Sequence, residues 1–92
     1  AEGWLATANE MNLPEGYPHL LGLEWADPSR MMRISEVIRS RPEFGITDSM
    51  ALQNDVTSPL ARRAVALLAG LEGRSEAETS ALAMLAGWDG YM

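Results

Sequence analysis

The sequence contains no cysteine and no lysine, and it has a single histidine among its 92 residues. The absence of cysteine excludes disulfides and thiolate metal sites. All seven basic residues are arginine, and the sequence has thirteen acidic residues, so the net charge is −6. A chain of this charge repels phosphate backbones and anionic lipid surfaces. We therefore expect neither a nucleic-acid partner nor a membrane partner.

Long hydrophobic runs are also missing, since none approaches the roughly 20 apolar residues of a membrane span. Hydrophobic residues nevertheless make up 47% of the sequence. A chain of this length forms at most one small domain and buries only about 60 to 65 per cent of its extended-chain surface. We therefore expect part of the apolar surface to face something outside these 92 residues.

The first ten residues carry a short apolar stretch that ends in a polar side chain. Trp4, Leu5 and Thr7, with small neighbours, are typical of a buried strand, and Asn9 stands where that strand gives way to a loop. Asparagine is common at such places because it tolerates turn geometry, and on this stretch alone that structural role is favoured. The alternative is an oxyanion-hole donor, whose amide needs a fixed donor on its carbonyl side. Arg30 is a candidate for that donor.

Residues 11–27 are predicted to form a connector packed along the surface of the core, because prolines and glycine break its periodicity while it remains rich in apolar residues. Its histidine, His19, could be a ligand or a catalytic base. No carboxylates stand at ligand spacing around it and no nucleophile is near, so a surface or packing role is favoured.

A helix-start signal follows the connector, with Asp27 as the N-cap and Pro28 at the first helical position. The helix is predicted to end at about Ser40. Arg30 lies in its first turn, within plausible reach of Asn9, although an exposed helix arginine is the ordinary interpretation. The buried stripe recurs at three- and four-residue spacing and consists of Met31, Ile34, Val37 and Ile38.

A second helix is predicted from an N-cap at Thr47 to about Ala69. Pro59 falls in its middle, where proline removes a backbone hydrogen bond and clashes with the preceding turn, so a kink or break is expected near Thr57 and Ser58. The apolar pattern of the whole segment consists of Met50, Leu52, Val56, Leu60, Val65, Leu67 and Leu68.

Polar residues cluster just before that proline. Asp55 and Ser58 invite a catalytic interpretation, but no base is adjacent, so structural support is favoured. Their polar groups could satisfy the freed backbone, or Asp55 could pair with an arginine from another segment.

A third helix begins with a capping box, in which Ser75 is the N-cap and Glu78 stands three residues later. Gly87 ends this helix, and Trp88, Asp89 and Gly90 read as a turn in which the indole anchors against the core. The narrow apolar seam of the helix consists of Ala81, Leu82, Met84 and Leu85.

Four stretches of this chain, taken in order, resemble the penicillin acylase (penicillin amidase) family of N-terminal nucleophile (Ntn) amidohydrolases, which includes acyl-homoserine-lactone acylases. They are Gly-Trp-Leu-Ala-Thr-Ala-Asn at 3–9, Tyr-Pro at 17–18 with Trp-Ala-Asp-Pro-Ser-Arg at 25–30, Leu-Gln-Asn-Asp-Val-Thr-Ser-Pro-Leu-Ala at 52–61, and Leu-Ala-Gly-Trp-Asp-Gly-Tyr-Met at 85–92. Each is weak alone, but the four in order, spread over nearly the whole chain, are a strong resemblance.

The resemblance implies that residues 1–92 are an internal segment of the β chain. Residues 1–10 would be a strand of the central sheet, 11–27 a connector and 28–92 a helical subdomain. The segment would be mainly α, with one strand and then about three helices, the middle one kinked, inside an α/β parent of four-layered αββα fold.

The resemblance also implies that Asn9 contributes to the oxyanion hole and that Arg30 hydrogen-bonds Asn9. Many members have a second asparagine where this chain has Glu10, and we expect this carboxylate to face solvent or an arginine, because it would otherwise oppose the developing charge. Some members place a calcium-binding Asp shortly after the Tyr-Pro pair, but this chain has none there. No metal and no cofactor are therefore expected.

The catalytic serine of this family starts the β chain and lies outside these residues, so the isolated chain should be inactive. The parent would hydrolyse the amide of a small-molecule N-acyl substrate, such as a β-lactam or an acyl-homoserine lactone, and its α chain and the rest of its β chain would be the partners of this segment. The resemblance points to the bacterial periplasm or secretion. Two alternatives remain: a small helical protein-interaction module, and a scaffold that has lost its nucleophile.

Overall fold

The computed structural model describes residues 3–92, which are mainly helical. Four helices follow one another: α1 (Ser29–Arg39), α2 (Ile46–Gln53), α3 (Pro59–Leu68) and α4 (Glu76–Ala86). The chain divides into two compact units, the first ending at Asp55 and the second spanning Val56–Met92. The first contains α1 and α2, and the second contains α3 and α4. The prediction of a mainly helical chain is confirmed, and the four-layered fold of the parent stays a prediction.

The predicted strand at residues 1–10 is wrong for residues 3–10, and residues 1 and 2 lie outside the described part of the chain. Every second residue from Trp4 to Glu10 is at least partly buried while those between are exposed, as in an extended chain. Strand structure also requires a neighbouring strand to complete its hydrogen-bond ladder. Residues 3–92 contain only one isolated antiparallel bridge, between Thr57 and Tyr91. The extended stretch instead meets α1, where the Arg39 guanidinium lies 5.5 Å from the centre of the Trp4 ring.

Helix α1 begins one residue later than predicted. Pro28 occupies the N-cap position, and the Asp27 Oδ1 atom accepts a hydrogen bond from the Ser29 N–H at 2.8 Å. Aspartate therefore satisfies one of the first free N–H groups of the helix, as the sequence indicated. The predicted stripe is confirmed, since all four of its members are half-buried: Met31, Ile34, Val37 and Ile38.

The expected break at Pro59 is confirmed, because α2 and α3 are separate helices. Pro59 is the first residue of α3, where its missing N–H costs nothing, and the Ser58 Oγ atom accepts from the Ala61 N–H at 3.1 Å. Helix α2 starts at Ile46 rather than after Thr47. The continuous apolar pattern fails in part, because the break resets the helical register: Leu52, Val65 and Leu68 are half-buried, whereas Met50, Val56, Leu60 and Leu67 are exposed.

The start of α4 follows the predicted cap with one difference. The Ser75 Oγ atom accepts from the Glu78 N–H at 3.2 Å, but the Glu78 carboxylate accepts from the Arg74 N–H at 2.7 Å rather than from Ser75. Helices α3 and α4 pack together, and the half-buried residues that line the space between them are Val65, Leu68, Leu82 and Leu85. The predicted seam is narrower than expected, since Ala81 and Met84 are exposed.

The turn that follows α4 is fastened to the start of α3. The Gly90 carbonyl accepts from the Ser58 N–H, and the Asp89 carbonyl accepts from the Arg62 Nε–H, both at 2.8 Å. Gly90 is buried with a φ of +83°, a conformation that favours glycine. The Trp88 indole donates to the Tyr91 carbonyl at 2.8 Å, and its ring is exposed rather than anchored in a core.

Candidate active site

The extended stretch ends at a turn formed by Ala8, Asn9 and Glu10, which we call the Asn9 turn. Asn9 has a φ of +67° and is the one non-glycine residue among residues 3–92 with a positive φ. Asparagine adopts this left-handed conformation more readily than most residues, because its short polar side chain can bond locally. Conformations of this kind persist where surrounding contacts hold them, and they cluster at functional sites.

Arg30 holds the side chain of Asn9. Its Nη2 atom donates to the Asn9 Oδ1 atom and to the Ala8 carbonyl oxygen, each at 2.8 Å. The Asn9 amide oxygen is therefore engaged on the arginine side, and geometry turns the NH2 group away from it. Within residues 3–92 the Asn9 Nδ2 atom meets no hydrogen-bond acceptor, and the residue is exposed. The turn thus presents a fixed, unoccupied N–H donor at the surface.

The position of Arg30 follows from the way α1 begins. The Ala26 N–H donates to the Asn9 carbonyl at 2.8 Å, which fixes the chain just before the Asp27 cap. The Asp27 cap then sets the first turn of α1, and Arg30 is the second residue of that helix. One short segment, residues 26–30, therefore fixes both the backbone and the side chain of Asn9.

Glu10 does not face solvent or an arginine, which corrects the expectation from the sequence. Its side chain turns back along the chain, and the Oε2 atom accepts from the Ala8 N–H at 2.6 Å. Glu10 and Ala8 are each only 8% exposed. The physical reason is that a buried backbone N–H needs an acceptor, and the turn brings this carboxylate within reach. Sequence reasoning missed Glu10 as a site residue, because no local pattern indicates which way its side chain turns.

An ion pair between Arg33 and Asp55 stabilises α1. The Arg33 Nε atom lies 3.1 Å from both carboxylate oxygens of Asp55, and Nη2 lies 2.7 Å from Oδ2. This confirms that Asp55 pairs with an arginine from another segment. Hydrogen bonding to Asp55 raises the pKa of the Arg33 guanidinium above its ordinary value, and Glu36 adds to the effect. Arg33 therefore stays charged, and its bonds to Asp55 tie α1 to the segment after α2.

His19 is placed away from any such arrangement. Its ring meets the edge of Tyr17 at a centroid distance of 5.6 Å and an angle of 76°, and both residues are exposed. In the described part of the chain, no three histidine, aspartate or glutamate side chains are grouped so that they could hold a metal ion. Over the same residues, no helix has the length and apolar character needed to cross a membrane.

The chemistry open to the Asn9 turn is that of a hydrogen-bond donor. Within residues 3–92, the groups that make hydrogen bonds in this turn are the Arg30 guanidinium, the Ala26 N–H and the turn's own Glu10 carboxylate. None of these is a typical nucleophile for acyl transfer. A fixed amide N–H at the surface can stabilise an oxygen that becomes negative during a reaction. The geometry fits an oxyanion donor that works with a nucleophile supplied from elsewhere.

Comparison with known proteins adds the family. A model of the penicillin amidase family matches residues 1–92. The acyl-homoserine lactone acylase QuiP of Pseudomonas syringae pv. tomato is 36% identical over 62 residues, which are 67% of this chain and 7% of the relative. QuiP of Pseudomonas fluorescens is 39% identical over 66 residues, which are 68% of this chain and 8% of the relative. The chain thus spans less than a tenth of these relatives' length, and no solved structure matches it. This chain belongs to the penicillin amidase family.

Proposed function

We propose that these residues form a segment of an acylase that hydrolyses the amide bond of an N-acyl substrate, and that Asn9 supplies a donor to its oxyanion hole. The observation that carries this proposal is the contact between Arg30 and the Asn9 amide oxygen, which leaves the amide N–H turned outward. Membership of the penicillin amidase family and the similarity to acyl-homoserine lactone acylases support the reaction class.

In this reaction, an N-terminal serine outside the segment attacks the amide carbon while its own α-amino group takes the hydroxyl proton, which later passes to the leaving amine. The carbonyl π electrons move to oxygen, and the Asn9 N–H donates to the resulting oxyanion. When the tetrahedral intermediate collapses, the amine leaves with a proton and an acyl-enzyme remains. Water then attacks the acyl-enzyme and forms a second oxyanion. Its collapse releases the carboxylic acid and restores the serine. Removing one such donor typically costs about 10²- to 10³-fold in kcat.

The proposal also assigns a role to the exposed apolar surface of the segment. Within the connector, the exposed large side chains include Tyr17, Leu20, Leu21, Leu23 and Trp25. Large apolar side chains left exposed within one short segment are typical of an interaction site. We assign it to the remainder of the acylase, its α chain and the rest of its β chain, because the chain spans only 7 to 8% of its relatives.

The substrate proposed is an N-acyl amide of a small molecule. An acyl-homoserine lactone is the class named by the relatives, and a penicillin is the class named by the family. Incubating the processed full-length protein with each substrate, and identifying the free amine and the carboxylic acid by mass spectrometry, separates the two. If the protein hydrolyses neither substrate, that result contradicts the proposed function and favours a helical interaction module.

The site is tested with the Asn9→Ala variant on a chromogenic acyl amide. We expect kcat to fall about 10²- to 10³-fold while processing is retained. Asn12→Ala is the matched control, because Asn12 is exposed and lies outside the Asn9 turn. Wild-type activity in a correctly processed Asn9→Ala protein would mean that Asn9 is only a turn residue.

A further inference from the structure

We propose that Glu10 is a positioning residue for the oxyanion donor. By accepting the Ala8 N–H, its side chain holds Asn9 in the left-handed conformation that aims the amide at the substrate. This inference rests on the proposed function of Asn9.

The hydrogen bond spans the strained residue itself. Ala8 and Glu10 flank Asn9, and the bond from the Ala8 N–H to the Glu10 Oε2 atom, at 2.6 Å, closes a loop around it. The two flanking residues are buried, whereas Asn9 is exposed. A buried residue therefore lies on each side of the exposed Asn9 donor. Left-handed backbone is unfavourable for an L-residue unless its surroundings hold it, and this loop is one such restraint.

The remaining bonds of the turn do not replace this restraint. Arg30 holds the Ala8 carbonyl and the Asn9 side chain, and the Ala26 N–H holds the Asn9 carbonyl. No other hydrogen bond of the described residues engages the Ala8 N–H. Without an acceptor on Glu10, the buried Ala8 N–H would be left unsatisfied, and rotating the peptide between Thr7 and Ala8 toward water would lower the free energy of the turn. Such a rotation changes the φ of Ala8, the residue before Asn9, and opens the hydrogen-bonded loop that restrains the Asn9 backbone.

The direction of the Glu10 side chain also resolves the electrostatic conflict raised by its charge. A carboxylate beside the developing oxyanion would oppose it, yet this one is turned back toward the Ala8 N–H. The Arg30 guanidinium binds the carbonyl of the same residue. Ala8 is thus held by a negative group on its N–H and a positive group on its carbonyl, while the donor face of Asn9 remains open.

The inference is tested with a matched pair of variants in the processed full-length protein. Glu10→Gln and Glu10→Met both remove the charge at nearly constant size, but only glutamine keeps an oxygen acceptor for the Ala8 N–H, since the methionine sulfur accepts only weakly. Because a misplacement of about 1 Å can cost about 10²-fold, we expect kcat to fall about 10- to 100-fold in Glu10→Met, with KM within about 2-fold. In Glu10→Gln we expect kcat within about 3-fold of wild type, because the amide oxygen still accepts. Glu43→Met is the control, because Glu43 is exposed.

A double-mutant cycle separates positioning from general structural support. If Glu10 acts only through Asn9, then Glu10→Met should cause no further loss of kcat in an Asn9→Ala background. An equal loss in both backgrounds would show a purely structural role and overturn the inference. Equal losses in Glu10→Gln and Glu10→Met would also overturn it, because charge rather than the acceptor would then matter.

The same cycle distinguishes failure of this inference from failure of the proposed function. If Asn9→Ala is impaired while Glu10→Met is fully active, the oxyanion role stands and the positioning role of Glu10 is wrong. If Asn9→Ala keeps full activity, the oxyanion role of Asn9 and the positioning role of Glu10 are both wrong, while the reaction class stands. Should Glu10→Met fail to fold, loss of activity in well-folded Glu10→Gln would still overturn the acceptor role.

Discussion

Replacing Arg30 by alanine removes the contact that fixes the Asn9 amide. The Arg30 Nη2 atom makes two hydrogen bonds of 2.8 Å, one to the Asn9 amide oxygen and one to the Ala8 carbonyl. Hydrogen bonds from a charged group contribute about 1.5 to 3 kcal/mol in the interior. Both of these bonds use one nitrogen of a largely exposed side chain, so together they stabilise the bound conformation of Asn9 by about 1.5 to 2.5 kcal/mol. That energy corresponds to a loss of about 10- to 70-fold in the population of the productive Asn9 conformer.

The measurement is kcat for a chromogenic acyl amide with processed full-length Arg30→Ala. We expect kcat to fall by about that 10- to 70-fold factor, less than the roughly 10²- to 10³-fold loss for Asn9→Ala, because the amide donor is still present but no longer fixed. Arg63→Ala is the control, because Arg63 is an exposed arginine and its loss changes the net charge equally. If Arg30→Ala kept full activity while Asn9→Ala lost it, the amide would not need Arg30, and the reasoning would be refuted.

Two further predictions concern stability. Asp55→Asn weakens the pair with Arg33, whose pKa is raised by Asp55. We expect the free energy of local unfolding of α1 to fall by about 2 kcal/mol, as measured by native-state hydrogen exchange. Unchanged protection of α1 would show that the pair does not stabilise this helix. Gly73→Ala places a Cβ 2.4 Å from the backbone nitrogen of Thr79 and should destabilise α4 by about 2 kcal/mol in the same measurement. Gly87→Ala is its control, since the added Cβ makes only ordinary contact; equal effects would contradict the steric argument.

The parts of the fold that could be predicted are those fixed by local chemistry. Asp27 and Ser75 bond the first N–H groups of their helices, and Pro59 separates α2 from α3, because capping and proline geometry act within a few residues. The family resemblance and the need to fix the amide predict the hydrogen bond between Arg30 and Asn9, and the structure contains it. The catalytic role of that pair stays a prediction.

The predictions that were wrong concern features that depend on residues distant in the sequence or on contacts that no local pattern shows. A strand at residues 3–10 needs a ladder that these residues do not provide, so its extended backbone remains unpaired with any strand. The apolar residues of α2 and α3 share no continuous stripe, because Pro59 restarts the helical register. The direction of the Glu10 side chain depends on the Ala8 N–H, which bonds its carboxylate and which no periodicity in the sequence reveals.

The most direct test of the account is kcat for the processed full-length Asn9→Asp variant. Aspartate keeps the shape of the side chain and an oxygen for Arg30, but it has no N–H to offer an oxyanion. We predict a fall in kcat of at least about 10²-fold with processing and thermal stability close to wild type. Activity within a few-fold of wild type would contradict the claim that the Asn9 amide N–H stabilises the oxyanion.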